Sequence, residues 1–393
     1  MNDWKKNFAL ILLAETVSIV AFSFICPFLP YYIQHLGVSD PKQVILWSGL
    51  IVTAPAFFLA LSAPVWGVLG DRFGRKFMLV RAICSGAIIL FLMGIAQTVV
   101  HLFIFRLFQG IFTGTIAAAF ALTASIVPRE KSVQVQGLMQ TMVFFGSAVG
   151  PWLGGMAADA WGYQNSFFIS AAALFIAGLV TAVGVRERFI PPEPVEQPRF
   201  VRRLMPARAF LPFFLVLFLV QAAASLPTPI FPLFVQRLLP PGTTNLAGTA
   251  GSIFAVSGFA AMAAALIVGR LGTKVRLVPL LITCLFCCGI LSFLQCFSQT
   301  TLRVLLVQGG FGFFAGVIIP VVNAMLHQRS STDEMGRTFG TAAGVTALGG
   351  GVGPFIGGGV ASLFSLRAAF VASGMLMIGS VIAARMAFNR SRS

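Results

Sequence analysis

Twelve long apolar runs divide this chain, and each is long enough to cross a lipid bilayer, which takes about 20 helical residues. Backbone groups inside a bilayer must be hydrogen-bonded within the protein, so runs of this length are expected to be helices. The predicted spans are 8–36, 44–69, 77–97, 100–126, 133–158 and 164–184, followed by 210–236, 248–269, 276–297, 300–326, 337–361 and 364–386. The sequence therefore predicts an all-α membrane protein with twelve transmembrane helices.

The composition supports lipid as the solvent. Hydrophobic residues make up 58% of the chain and charged residues 10%, whereas a soluble domain carries about 25% charged residues. The net charge of +16 would suit a nucleic-acid partner, but the basic residues form short clusters between the apolar runs and leave no continuous basic face. Nucleic-acid binding is therefore not expected.

The basic clusters predict the orientation of the chain. Of 27 Lys and Arg residues, 21 fall in segments that share a side with the N-terminus, and only Lys42, Arg237, Arg303 and Arg367 fall on the opposite side. Cytoplasmic loops carry the excess of Lys and Arg in multispanning proteins. We expect a multi-pass protein of the cell inner membrane with both termini in the cytoplasm.

The two halves of the chain repeat each other. Gly110–Gly114 matches Gly312–Gly316 at a distance of 202 residues, and the glycine pattern of 146–155 recurs 203 residues later at 349–358. We therefore expect two pseudo-symmetric six-helix bundles, 1–185 and 210–393, joined by a cytoplasmic linker over 186–209. In repeats of this kind the substrate site lies at the interface between the repeats.

The loop after the second span has a distinctive composition. It reads Gly67-Val-Leu-Gly70-Asp71-Arg72-Phe-Gly74-Arg75-Lys76, so one carboxylate lies among three cations in a tight turn that glycines permit. Taken alone, this pattern is also compatible with an ordinary basic cytoplasmic loop.

Together with the duplication, this loop resembles the signature loop of the major facilitator superfamily. Arg106-Leu-Phe-Gln109-Gly110 in the fourth span resembles the family's second motif. The fifth span resembles the antiporter motif of its drug:proton exporters, through Gly146, Gly150, Pro151, Gly154 and Gly155. Shorter matches resemble the MdtG-like multidrug exporters most, namely Trp4-Lys-Lys-Asn7, Pro27-Phe-Leu-Pro30-Tyr31, Trp47-Ser-Gly49 and Arg186-Glu-Arg-Phe189.

The resemblance implies roles for these motifs. Asp71 would act as a conformational latch that pairs with nearby Arg side chains and the start of the eleventh span in the outward-facing state. The equivalent position in the second half is Thr273, so the latch is expected on one side only. In the fifth span, Pro151 would bend the helix and the glycines would form a groove, although a simple packing face remains an alternative.

Two ionisable residues are predicted deep inside spans, where burial is costly and function is the usual reason for it. Glu15 is the candidate proton-coupling residue, because a carboxyl group in a low-dielectric cavity can take up and release protons near neutral pH. A fixed ion pair or a position at the water-filled mouth are alternatives. The resemblance assigns Arg106 to proton transfer, while anchoring to backbone carbonyls is its alternative. Their predicted depths differ, which leaves direct pairing open.

The substrate cavity is expected to be aromatic with few polar anchors. Each candidate has an alternative as a lipid-facing or interhelical packing residue. The candidates are Phe22, Tyr31, Gln34, Gln109, Gln140, Phe144, Gln221, Phe231, Phe234, Gln308 and Asn323.

These features favour a secondary transporter that exports lipophilic or amphipathic drugs in exchange for protons. A proton-coupled or facilitative transporter of a metabolite such as a sugar is the alternative. An enzyme is not expected, since the three histidines lie apart, and an ATP-driven pump would need a P-loop that the sequence lacks.

The Cys284/Cys287 spacing lies in an apolar run, where free cysteine behaves as a small hydrophobe. We expect no cofactor or metal, and a monomer whose partners are small molecules, protons and membrane lipid.

Overall fold

The computed structural model describes residues 3–187, 210–271, 276–330 and 335–389, and fifteen α-helices run through these ranges. The first half contains α1 (Asp3–Ser23), α2 (Leu29–His35), α3 (Pro41–Phe73), α4 (Arg75–Gly94), α5 (Val99–Phe112), α6 (Thr115–Ile126), α7 (Arg129–Trp161) and α8 (Tyr163–Gly184). The second half contains α9 (Leu211–Ser225), α10 (Phe231–Leu238), α11 (Leu246–Leu271), α12 (Leu277–Cys296), α13 (Thr301–Arg329), α14 (Met335–Leu363) and α15 (Leu366–Asn389).

Three of the twelve predicted spans are interrupted. The run 8–36 is divided into α1 and α2, 210–236 into α9 and α10, and 100–126 into α5 and α6. Proline explains the first two breaks, because it cannot donate a backbone hydrogen bond and clashes with the preceding turn. Both α2 and α10 resume with a proline in their first turn.

The third break depends on glycine. α5 ends at Phe112, and Gly114 adopts φ +108°, a left-handed conformation that glycine tolerates at little cost. α6 then begins at Thr115. The equivalent helix of the second half, α13, is continuous through its matching residues, so the repeat differs at this point.

The helices form two compact units. The first contains α1, α2, α3 from Phe57 onward, α4–α8, and α11 up to Ala255. In this unit α4 packs along α8, and α1 packs against α7 and α8. The aromatic residues Phe28, Tyr32, Tyr163 and Phe167 form a cluster between α2 and α8.

The second unit contains α3 up to Ala56, α9, α10, α11 from Val256 onward, and α12–α15. Here α9 packs against α14 and α15, and α12 against α13 and α15. Cys284 and Cys288 are buried in its core beside residues such as Leu217 and Val321, so they act as packing residues.

The helices have the lengths and composition of membrane spans. Within the described ranges, ten helical segments are long and apolar enough to cross a bilayer, and α9 is apolar but shorter. Large apolar side chains such as Leu61, Val183 and Leu363 are exposed on their surfaces. The protein is therefore an integral membrane protein. The predicted linker lies outside the described residues beyond Glu187, so the domain boundaries stay a prediction.

Candidate functional site

Glu15 lies in the middle of α1 and is buried, with 1% of its surface exposed. The Thr115 hydroxyl donates to its Oε1 at 3.4 Å, while Oε2 has no partner among the described residues. The break at Gly114 starts α6 at Thr115, which places this hydroxyl against α1. The site is a buried carboxyl group with one neutral hydrogen-bond donor.

Arg106 lies on α5 and is 8% exposed. Its Nη1 donates to the Oε1 of Gln109, one helical turn further on, at 3.0 Å, and its Nε has no partner in the described part of the chain. Glu15 and Arg106, whose side chains are both described, form no ion pair with each other. The two candidate proton-coupling groups therefore each have a neutral partner.

The loop between α3 and α4 turns at Gly74, which adopts φ +94° and precedes the first residue of α4. Glu187 caps this helix: its Oε1 accepts from the backbone N–H of Arg75 at 3.0 Å, and its Oε2 accepts from that of Lys76 at 2.8 Å. A carboxylate at a helix N-terminus satisfies unpaired N–H groups and interacts favourably with the helix dipole. This role of Glu187 was not predicted from the sequence.

A second contact holds the same segment. Asn7 near the start of α1 donates from its side chain to the carbonyl oxygen of Arg186 at 2.8 Å and accepts from the Arg186 N–H at 3.1 Å. Arg75 also donates through Nη1 to the carbonyl oxygen of Ala121 at 3.0 Å. The end of α8, the start of α1 and the start of α4 are thus tied together.

The other residues of the predicted latch are less constrained. A Cβ at Gly70 would lie 3.3 Å from the Met78 Cγ, whereas one at Gly67 would meet nothing within 4 Å. Arg72 is exposed. The side chain of Asp71 and the whole of Thr273 lie outside the described part of the structure, so the latch contacts stay a prediction.

The antiporter motif on α7 presents one face to α1. Gly146, Gly150 and Gly154 are spaced one helical turn apart, and a Cβ at these positions would meet Ile19 at 2.9 Å, the Val20 carbonyl oxygen at 2.7 Å, and the backbone of Phe24, respectively. The Ser23 hydroxyl crosses the contact to the Gly146 carbonyl oxygen at 3.2 Å. The backbones of α1 and α7 are therefore in direct contact.

The motif presents another face to α11. A Cβ at Gly155 would collide with the carbonyl oxygen of Ala247, and one at Gly251 would collide with that of Pro151. Pro151 is buried within the helix. The motif thus allows α7 to contact two helices closely at once.

The second half repeats the first of these contacts. Gly349 and Gly353 on α14 face the backbone of α9 at Phe218 and Ala222, and Gly357 faces that of Leu226, which follows α9. The Ser225 hydroxyl reaches the Gly349 carbonyl oxygen at 3.4 Å, as Ser23 reaches Gly146. The structure therefore repeats this helix contact in the second half.

The predicted cavity residues occupy different environments. Phe231 and Phe234 are 2% and 3% exposed and pack on Phe370, with ring centroids 6.2 and 4.9 Å apart. Tyr31 is also buried, Phe22 packs against Gly86, and Gln308 lies 3.5 Å from the Ser257 hydroxyl. Gln140 is exposed, and Gln34, Phe144, Gln221 and Asn323 are partly exposed.

Comparisons with known proteins agree with these features. The chain is 32% identical over 391 residues to the multidrug resistance protein MdtG of Klebsiella pneumoniae (strain 342), covering 99% of this chain and 95% of that protein. It is 34% identical over 383 residues to MdtG of Salmonella schwarzengrund (strain CVM19633), covering 96% and 95%.

Solved structures share the fold at lower sequence identity. The nucleoside transporter NupG superimposes with a TM-score of 0.74 at 14% identity, covering 97% of this chain and 98% of NupG. A bacterial homologue of the human lysosomal transporter Spinster gives 0.76 at 16% identity, covering 100% and 97%. The family model of the major facilitator superfamily matches residues 11–240 and 213–393. The chain therefore belongs to the major facilitator superfamily.

Proposed function

We propose that this protein is a secondary active transporter that exports lipophilic or amphipathic drugs in exchange for protons by alternating access. The combination of two features supports the proposal. The chain is similar over nearly its full length to MdtG multidrug resistance proteins, and the glycines of its antiporter motif bring α1 and α7 into close contact. We place the protein in the cell inner membrane as a monomer, with both termini in the cytoplasm.

Glu15 is the proposed proton-coupling carboxyl group. Charge on a buried carboxyl group without a cation is costly, and the one donor that reaches Glu15 within the described ranges is the Thr115 hydroxyl. A proton taken up by Glu15 removes that cost, and opening the site to water allows the proton to leave. α1 also packs on the face of α7 formed by Gly146, Gly150 and Gly154. A change in the protonation of Glu15 can therefore be transmitted to the α1–α7 contact.

Arg106 and the α3–α4 loop have supporting roles in this proposal. Arg106 and Gln109 form a polar pair on α5 that assists proton transfer, and Asp71 acts as the cytoplasmic latch. The candidate cavity side chains with exposed surface, among them Gln34, Phe144 and Gln221, contact substrate directly. The fully buried Phe231 and Phe234 support the wall of the cavity from α10.

Reconstitution of the purified protein in liposomes tests the function. An imposed pH gradient should drive transport of a lipophilic cationic dye and of a neutral drug against their concentration gradients, and a protonophore should abolish both. Addition of either compound should release protons that a pH-sensitive dye detects. Transport that continues with the gradient collapsed, or transport of sugars in preference to drugs, would contradict the proposal.

A further inference from the structure

Asp159 lies in the last turn of α7 and caps another helix. Its Oδ1 accepts from the backbone N–H of Ala247 at 3.1 Å, and its Oδ2 accepts from that of Gly248 at 2.6 Å. These N–H groups belong to the first turn of α11, which has no intrahelical acceptor for them. One carboxylate therefore binds two donors at a helix N-terminus, where a negative charge is favoured by the helix dipole.

The backbone around this contact leaves room for the carboxylate. A Cβ at Gly248 would lie 2.8 Å from the Oδ2 of Asp159, so a larger residue there would push the carboxylate away. Gly155 on α7 faces the backbone of Ala247 and Gly248, and Gly251 on α11 faces that of Pro151, so both glycines let the two helices approach closely. The hydrogen bonds of Asp159 and the glycine packing thus act on the same pair of helix ends.

The second half of the chain lacks this carboxylate. Ser362 stands 203 residues after Asp159, and its hydroxyl donates to the Gly359 carbonyl oxygen of its own helix at 2.9 Å. The neighbouring glycine contact is retained, since a Cβ at Gly358 would lie 3.0 Å from the Gly49 Cα. The packing is therefore duplicated, whereas the acid is found in the first half only.

The surroundings of Asp159 contain few ionisable groups. Tyr31 on α2 and Tyr163 at the start of α8 are close enough to interact electrostatically with it, and His35 packs on the Tyr163 ring at 5.9 Å. The first two turns of α11 carry no ionisable residue. Both described hydrogen bonds to the carboxylate therefore come from backbone N–H groups, and neither comes from a charged side chain.

We propose that Asp159 is a proton-releasable clamp that holds the external ends of α7 and α11 together. This inference rests on the proposed transport function and orientation. Protonation of Asp159 from the external side removes the charge that binds both N–H groups, leaves a carbonyl oxygen that accepts from one of them, and weakens the α7–α11 contact. A lower external pH then favours separation of the two helix ends, which opens the transporter outward. Asp159 is a positioning residue in this scheme.

Distance measurements between spin labels test the clamp without substrate. Labels would be attached to Trp161→Cys on α7 and Thr244→Cys before α11, in full-length protein whose native cysteines are replaced, in lipid nanodiscs. With Asp159 present, acidification should increase the population with separated helix ends. Asp159→Asn should raise that population about fivefold at neutral pH, the effect expected for the loss of one helix cap, and should remove its pH response.

Two further variants complete the test. Ser362→Ala is the matched control and should leave both the distances and their pH response unchanged. Gly248→Ala keeps the acid but displaces its Oδ2, so it should also increase the separated population. Wild-type distances and pH response in Asp159→Asn, or wild-type distances in Gly248→Ala, would overturn the clamp. Because no drug is present, failure of the clamp and failure of the export function are recorded separately.

Discussion

Glu15 can be found from the sequence because a carboxyl group within an apolar run is rare. Its partner cannot be found in this way, since Thr115 follows Glu15 by 100 residues and faces α1 only because Gly114 interrupts the fourth span. Asp159 and Glu187 also look unremarkable in the sequence, where they stand at the ends of helices. Their roles depend on helix N-termini contributed by distant segments, which no local pattern encodes.

Replacing Glu15 tests the proton site. Glu15→Gln resembles the permanently protonated side chain, so we expect it to abolish pH-driven export while neutral drugs still bind. Binding of a cationic drug should weaken by about tenfold more than that of a neutral analogue, because a counter-charge worth about 1–2 kcal/mol is lost. Gradient-driven efflux in liposomes and drug-binding titrations measure the two effects.

Thr115→Val is the control for this prediction. It removes the hydroxyl that bonds Glu15 but keeps the carboxyl group, so coupling to the pH gradient should persist. If the Gln variant transported normally under a pH gradient, coupling would reside in another group, with Asp71 and Asp159 the next candidates.

Sequence patterns predict the positions of the helices better than the contacts of individual side chains. Each of the twelve apolar runs coincides with one helix or a pair of helices in the described ranges, and the comparisons confirm the fold class and the family. The breaks at 24–28 and 226–230 were not predicted, although proline stands in both, because the runs stay apolar across them. The four-residue spacing of Gly146, Gly150 and Gly154 indicates a groove, but only the structure identifies α1 as the helix that fills it.

The α1–α7 contact gives a direct test of this packing. A Cβ at Gly154 would collide with the Phe24 backbone, which cannot move aside as a flexible side chain could. Gly154→Ala should therefore lower the free energy of unfolding by about 1–3 kcal/mol, the range for overpacked sites, and reduce export. Thermal unfolding of the purified protein measures the first effect.

Gly137→Ala provides the comparison on the same helix. A Cβ there meets nothing within 4 Å, so the substitution should be neutral or should stabilise α7 by about 0.5–1 kcal/mol, because alanine favours the helix more than glycine. Equal unfolding temperatures for the two variants would argue against a tight α1–α7 contact.

The whole molecule is a duplicated transporter whose halves have diverged at individual acids. Asp71 and Asp159 each occur in the first half, where the second half has Thr273 and Ser362. The repeat could be predicted from sequence spacing alone, since the glycine registers agree. The contacts of Asp159 could not be predicted in this way, because they depend on which helix N-terminus its carboxylate reaches.

Orientation is testable at this scale. Single cysteines at Lys5 and Ser391 should be protected from a membrane-impermeant thiol reagent in intact cells, and a cysteine at Thr244 should be labelled. The reason is the 21-to-4 distribution of basic residues across the predicted loops. Labelling of Thr244 and Ser391 from the same side would contradict the predicted topology.

The hydrogen bonds of Arg186 and Glu187 also bear on the position at which the chain can be divided into two co-expressed fragments. The first six spans end at Gly184, but a fragment cut there would lose the partner of Asn7 and the cap of α4. A fragment that extends beyond Glu187 keeps both. Co-expressed halves should therefore assemble when the chain is divided after Glu187. The first half then includes the residues that follow its last membrane-spanning helix.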